Sequence, residues 1–159
     1  MTDTFTGLPD PSPNSFQGLF EGSEGQPIQY HGQTLMLADR FSVKNCQRMA
    51  FDIVSTNSRW KQGIKIDPDA NIRVDGRLFR SVVFWEDTAP SPAIIELEPE
   101  VTSLAVSNVW QTADGATDSW HAGAAMICTP TPNGRRYHCN DGDLDADFDD
   151  LIFTIERLA

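Results

Sequence analysis

Six of the chain's 23 acidic residues, Asp141, Asp143, Asp145, Asp147, Asp149 and Asp150, fall between positions 141 and 150. Carboxylates this close repel one another strongly unless cations or solvent separate them. Calcium suits such a run. It is a hard cation, takes six to eight oxygens, and accepts the irregular geometry of a loop, whereas magnesium demands a tighter octahedron and keeps more of its waters. No His or Cys lies inside the run, which disfavours zinc and copper. The chemistry expected of these residues is therefore calcium binding (Ca2+).

An EF-hand is the first arrangement to test. Asp145, Asp147 and Asp149 would fill its positions one, three and five, Ile152 would be the apolar position eight, and Glu156 would fall at position twelve. Position six is Asp150, where the turn needs Gly. The following Leu151-Ile152-Phe153-Thr154-Ile155 favours a strand over a helix. The EF-hand fails on both counts, and the loop is expected to lead directly into a C-terminal strand.

The order Asp145-Ala146-Asp147-Phe148-Asp149-Asp150-Leu151-Ile152, preceded by Asp141 and followed by that strand, resembles the calcium loop of the bacterial fucose/mannose-binding lectins of the fucose-binding lectin II type. The resemblance implies a small β-sandwich with two adjacent calcium ions held by Asp141, Asp145, Asp147, Asp149 and Asp150. It also implies sugar hydroxyls that coordinate the metals directly and bond to Asp145, Asp149 and Asp150. Phe148 stands where that family usually has Tyr, and Asp149 where it usually has Asn. Asp143 has no clear role in the pattern. In the family a terminal carboxylate can complete a neighbouring subunit's site. Here Ala159 ends the sequence, and the family's terminal Gly is absent. The same short motif also resembles the ends of other bacterial extracellular β-domains of unassigned role; the alternative reading of the site is a calcium ion that merely pins the loop onto the sandwich.

Other residues bear on the same chemistry. Trp60, Trp85, Trp110 and Trp120 are potential stacking platforms for sugars, although a sandwich of this size buries some of its Trp in the core. Trp120, at a loop-to-strand edge beside His121, is the best candidate for an exposed, ligand-binding one. Asn57-Ser58 and Glu86-Asp87 are neighbouring polar pairs able to add metal oxygens. His31, His121 and His138 lie beside no nucleophile motif, and neither Gly-x-Ser-x-Gly nor His-Glu-x-x-His occurs. A general acid needs an isolated carboxyl of raised pKa, and a crowded metal-binding run is the wrong place for one. The chain is expected not to be an enzyme.

The elements that must position the loop read as strands. Ile28–Tyr30, Thr34–Leu37, Met49–Val54, Trp60–Ile66, Ile72–Val74, Leu78–Trp85, Ala93–Leu97, Leu104–Trp110, Trp120–Cys128, Arg136–Cys139 and Phe148–Ile155 are short, rich in β-branched and aromatic residues, and bounded by Gly, Pro, Asn or Asp. Asp75-Gly76 is a strong hairpin signal. The nearest helical candidate is Ala38–Arg48. Together these predict an all-β fold, an antiparallel β-sandwich of jelly-roll or Greek-key type. Residues 27–159 form the domain. Residues 1–26, with Pro9, Pro11, Pro13, Gly18, Gly22 and Gly25, read as a flexible arm that Phe16, Leu19 and Phe20 dock onto the body or a partner subunit.

A net charge of −11 repels nucleic acid. No apolar run nears the roughly 20 residues of a membrane span, and the N-terminus carries no secretory signal. That points to a cytoplasmic protein or one exported by a non-classical route. Cys46, Cys128 and Cys139 form neither a disulfide framework nor a zinc pattern. If Asn133-Gly134 were a two-residue turn, Cys128 would face Cys139. Pro130 and Pro132 would then sit at hydrogen-bonded positions they cannot serve, which favours a longer loop. The expectation as a whole is calcium-dependent recognition of a carbohydrate or glycoconjugate, made multivalent by a possible homo-oligomer. Its rival is a structural or interaction module that calcium only stabilises.

Overall fold

The computed structural model describes residues 7–9, 16–120 and 122–158. His121, Ala159 and most of the Pro-rich lead-in, Pro11 and Pro13 included, lie outside the described residues. After a short helix α1 (Phe16–Gly22), the described chain is built of strands: β1 (Ile28–Tyr30), β2 (Gln33–Leu35), β3 (Asp39–Ser42), β4 (Arg48–Thr56), β5 (Lys61–Pro68), β6 (Ile72–Val74), β7 (Arg77–Phe79), β8 (Val82–Trp85), β9 (Ala93–Leu97), β10 (Ser103–Gln111), β11 (Thr117–Asp118), β12 (Ala125–Thr131), β13 (Gly134–Asn140) and β14 (Leu151–Leu158). No described helix is long and apolar enough to cross a membrane.

Two antiparallel sheets form the sandwich. One runs β12-β13-β14-β4-β9-β6-β7; the other runs β11-β10-β5-β8, with β3 also paired to β10. Period-two alternation in β14 turns Leu151, Phe153 and Ile155 inward. They meet Phe51, Ile64, Ile66, Ile95, Leu104 and Val106 in the main core. A second, smaller core lies around β12: Phe16 and Phe20 of α1 pack with Leu35, Ala125, Ile127, Ala146 and Phe148. It joins the N-terminal helix to the acidic loop. Leu19, on the same helix, is exposed.

Three local features differ from expectation for identifiable reasons. The Ala38–Arg48 segment forms strand β3, because its apolar Phe41 and Val43 alternate into the main core. The Leu78–Trp85 run is divided at Arg80-Ser81, β7 pairing with β6 and β8 crossing to pair with β5. Its first part makes the expected hairpin, with Asp75 and Gly76 at φ 50° and 79°, left-handed values that a tight two-residue turn requires. The β12–β13 turn is also only two residues long, but it is Pro132-Asn133, with Thr131 opposite Gly134. That one-residue shift moves Pro132 into the turn and Pro130 to a pair that exchanges no ladder bonds, so neither proline is asked for an N–H. It also sets Cys128 opposite Tyr137 and Cys139 opposite Met126, and all three thiols are free.

Candidate functional site

The acidic loop, residues 141–150, joins β13 to β14 at one end of the sandwich. Alternation governs it even outside a strand. Asp145 and Asp147 are exposed, while Ala146 and Phe148, which alternate with them, are fully buried in the second core. The Phe148 ring packs against Phe16 with centroids 5.8 Å apart. Its backbone is left-handed, φ 57°, a conformation a bulky residue adopts only when its surroundings impose it. Here the imposition comes from the buried ring and from the Phe148 N–H, which donates to Asn140 Oδ1 at 2.7 Å. On the other flank Gly142 lies against Trp110, so close that a Cβ would come within 2.8 Å of the indole. Gly123 abuts the loop backbone at Asp143 in the same way.

Asp141 forms the hub at the base of the loop. It is fully buried. Its Oδ2 accepts from the Ser58 hydroxyl and, at 3.0 Å, from Gln62 Nε2; its Oδ1 accepts the Asp143 N–H at 2.9 Å. The Asp141 N–H donates to Asp150 Oδ2 at 2.9 Å, closing the loop on itself. Burial, followed by the nearby charges of Asp141 and Asp149, raises the Asp150 carboxyl to about 8 even though the Asp141 amide pulls it down. The raised value favours the protonated carboxyl, so a cation at the loop base would have to take that proton's place.

The connection between β4 and β5 crosses from one sheet to the other at this same end and closes on the loop. Asn57 Nδ2 donates to Asp149 Oδ2 at 3.0 Å, and the Asn57 N–H donates to the Asp150 carbonyl at 3.1 Å. Of the two neighbouring polar pairs considered from sequence, Asn57-Ser58 is brought to the acids. Glu86 instead accepts from Thr56 Oγ1 and from the Gln62 N–H, and Asp87 pairs with Lys61 at 3.5 Å. Asp143, the acid without a place in the lectin-like pattern, is held by Arg59, Nη2 to Oδ1 at 3.0 Å and Nε to Oδ2 at 3.4 Å. The guanidinium also lies 4.3 Å over the Trp60 ring.

Trp120 is exposed, at 53%, and left-handed at φ 60°. Its loop reaches the acids through the Gly123 N–H, which donates to the Gly142 carbonyl at 3.4 Å. It is tied to α1 by the Gln17 N–H, which donates to the Ala122 carbonyl at 3.0 Å. Trp110, by contrast, is core.

Among the described residues no three carboxylate, thiol or imidazole groups gather around one point. The base acids are bonded to protein donors, and Asp145 and Asp147 project outward at the tip. In kind, the donors fit calcium: they are oxygens, crowded, and negative beyond what local cations offset. One observation beyond the acids supports the fit. Gln62 is fully buried, its amide nitrogen is on Asp141, and its Oε1 has no partner. An unpaired buried acceptor is costly, and a cation or a bridging water at the loop base would satisfy it. Sequence reading missed Gln62 because a lone Gln at a strand start carries no motif. Comparison with protein-family models, characterised proteins and solved structures gives no match to this chain.

Proposed function

We propose that this β-sandwich is a calcium-dependent carbohydrate-binding protein that recognises its ligand at the acidic end. The carrying observation is the closure of the Asn57-Ser58 turn on the acidic loop, which sets Asn57 against Asp149 and Asp150. Polar side chains from two separate connections thereby meet at the acidic end.

The residues that would hold calcium are Asp145, Asp147, Asp149 and Asp150, with Asp141 contributing through Oδ1, which receives one protein hydrogen bond where Oδ2 receives two. When bound, the ion supplies Lewis-acidic positions at which a vicinal diol replaces water. The chain's own residues do the rest. Asp145 is exposed, so its carboxylate reorients without unpacking the loop. Asp145, Asp149 and Asp150 accept hydrogen bonds from sugar hydroxyls, and Trp120, exposed on the loop that meets the acidic run at Gly142, offers an aromatic face. Ala146 and Phe148 fix the loop backbone from beneath, so only exposed side chains have to be ordered on binding.

A glycan array probed with calcium, then with EDTA, tests this reading. Binding that appears with calcium and vanishes with chelator is expected. Stabilisation by calcium with no glycan bound in either state would reduce the protein to a module that calcium only stabilises. Absence of any calcium binding at millimolar concentration by calorimetry would remove the metal as well.

A further inference from the structure

The end of the sandwich remote from the acidic loop carries a cavity of about 290 Å³. Its floor is apolar, made by Phe41 of β3, Met49 of β4 and Ile155 of β14, all buried members of the main core. Its rim is the β12–β13 turn with Arg135 and Arg157. Antiparallel register explains why these meet: Arg135 lies opposite Ile155 and Met49 opposite Arg157, so both arginines end inward-facing rows where the two sheets part.

Two cations at the mouth of a core are unusual in a chain with only 12 basic residues and a net charge of −11. They differ in how far they are neutralised. Arg135 Nη1 reaches Asp39 Oδ2 at 3.0 Å, and its guanidinium lies 4.7 Å over the Phe41 ring. Asp39 Oδ2 also accepts the Tyr137 hydroxyl at 2.6 Å, and the carboxylate anchors Arg135. Arg157 donates from Nη2 to the Ser42 carbonyl at 2.7 Å, a neutral acceptor, and among the described residues it has no carboxylate partner. The remaining donors of its planar fork match a carboxylate bidentately.

We propose that this cavity is a second ligand site, independent of the acidic end, and that it takes a small carboxylic acid with an apolar body. The carboxylate pairs with Arg157 at the rim, and a ring or branched chain lies on Phe41, Met49 and Ile155. The volume is at the lower limit of small-molecule pockets, which restricts the ligand to a compact acid. The apolar floor requires a body that inorganic anions lack. Arg135, already committed to Asp39, shapes the rim and adds its field.

The probes are 3-phenylpropanoate, its neutral amide 3-phenylpropanamide, and inorganic phosphate, followed by backbone amide shifts of the full chain. The expected result is saturable binding of 3-phenylpropanoate with shifts centred on residues 41, 49, 133–135 and 155–157, unaffected by EDTA. Arg157→Gln should weaken it at least tenfold, as should replacing the carboxylate by the amide. Asn133→Trp, at the rim, should block it while leaving the fold intact. Equal binding of the amide, equal binding of phosphate with the same shift pattern, or unchanged binding in Arg157→Gln would each overturn the proposal. Shifts scattered over the surface would do so too.

Discussion

The two ends of this sandwich solve opposite electrostatic problems. At one end acids crowd together: Asp141 and Asp150 are bonded through the backbone, Asp149 is held by the neutral Asn57, and the cation nearest to hand, Arg59, is engaged with Asp143 alone. At the other end a half-buried carboxylate, Asp39, is answered by Arg135 and Tyr137, and Arg157 is left in excess. The acidic end is short of positive charge and carries an unpartnered buried oxygen on Gln62; the remote end is short of negative charge and carries a cavity. Each deficit is what a ligand of opposite sign would relieve. The scaffolding differs as well. The remote end is built on paired strands of the main core, whereas the acidic loop makes no ladder and depends on a separate cluster contributed largely by the N-terminal helix and hairpin.

That dependence gives the largest expected effect. Phe148→Ala removes a fully buried ring that joins the loop to Phe16. Since Ala is no easier to hold at φ 57° than Phe, no strain relief offsets the loss, and the protein should lose roughly 3–5 kcal/mol of stability in urea denaturation. Amide exchange should accelerate first at residues 141–150 and in α1, with β13 and β14 protected for longer. A loss below about 1 kcal/mol would mean that the second core does not hold the acidic end, and the contrast in scaffolding would go.

The fold was legible because strand alternation is local: Ala93–Leu97 coincides with β9, and Asp75-Gly76 makes its hairpin. The β12–β13 connection was expected to be a longer loop and is a two-residue turn, because a one-residue shift of register relieves both prolines without added length. At the site, the acids announced themselves by density and spacing. Sequence could also pick out Asn57 and Ser58 as polar, but only the crossing of the chain between sheets after Thr56 brings them to Asp149 and Asp141. The remote cluster was invisible for the same reason. Asp39, Arg135 and Arg157 are far apart in sequence, lie in ordinary strand contexts, and meet only through the register of β3, β13 and β14. Asp39 even stood within the segment read as the best helical candidate. The N-terminal lead-in hid its helix because Phe16 and Phe20 are apolar residues four apart in a segment otherwise dominated by Gly and Pro.

Tyr137→Phe tests the remote end without touching its charges. The hydroxyl donates to a carboxylate at 2.6 Å in a half-closed environment, and burial together with the Asp39 charge holds the phenol well above its ordinary range. Its removal should cost roughly 1.5–3 kcal/mol, the worth of a hydrogen bond to a charged group. The ring remains stacked on Phe153, so packing is conserved. Calcium affinity should be unchanged, because no residue of this cluster touches the acidic loop. A shift in calcium affinity measured by calorimetry would show that the two ends are coupled through the core, and the description of them as separate sites would have to be replaced.

The smallest effect belongs to Arg59, the cation paired with the acidic loop. Arg59 is largely exposed and its pair with Asp143 is open to solvent, so Arg59→Gln should leave the urea midpoint essentially where it is. Its consequence should appear in binding. Removing a positive charge beside the loop favours a divalent cation, and the gain should be modest, less than about threefold, and should fade as salt is raised. The opposite sign would be informative. If calcium binds more weakly to the variant at every ionic strength, then Arg59 does not compete with the ion. It would instead hold Asp143, and through the Asp143 N–H the carboxylate of Asp141, in the position that binding requires.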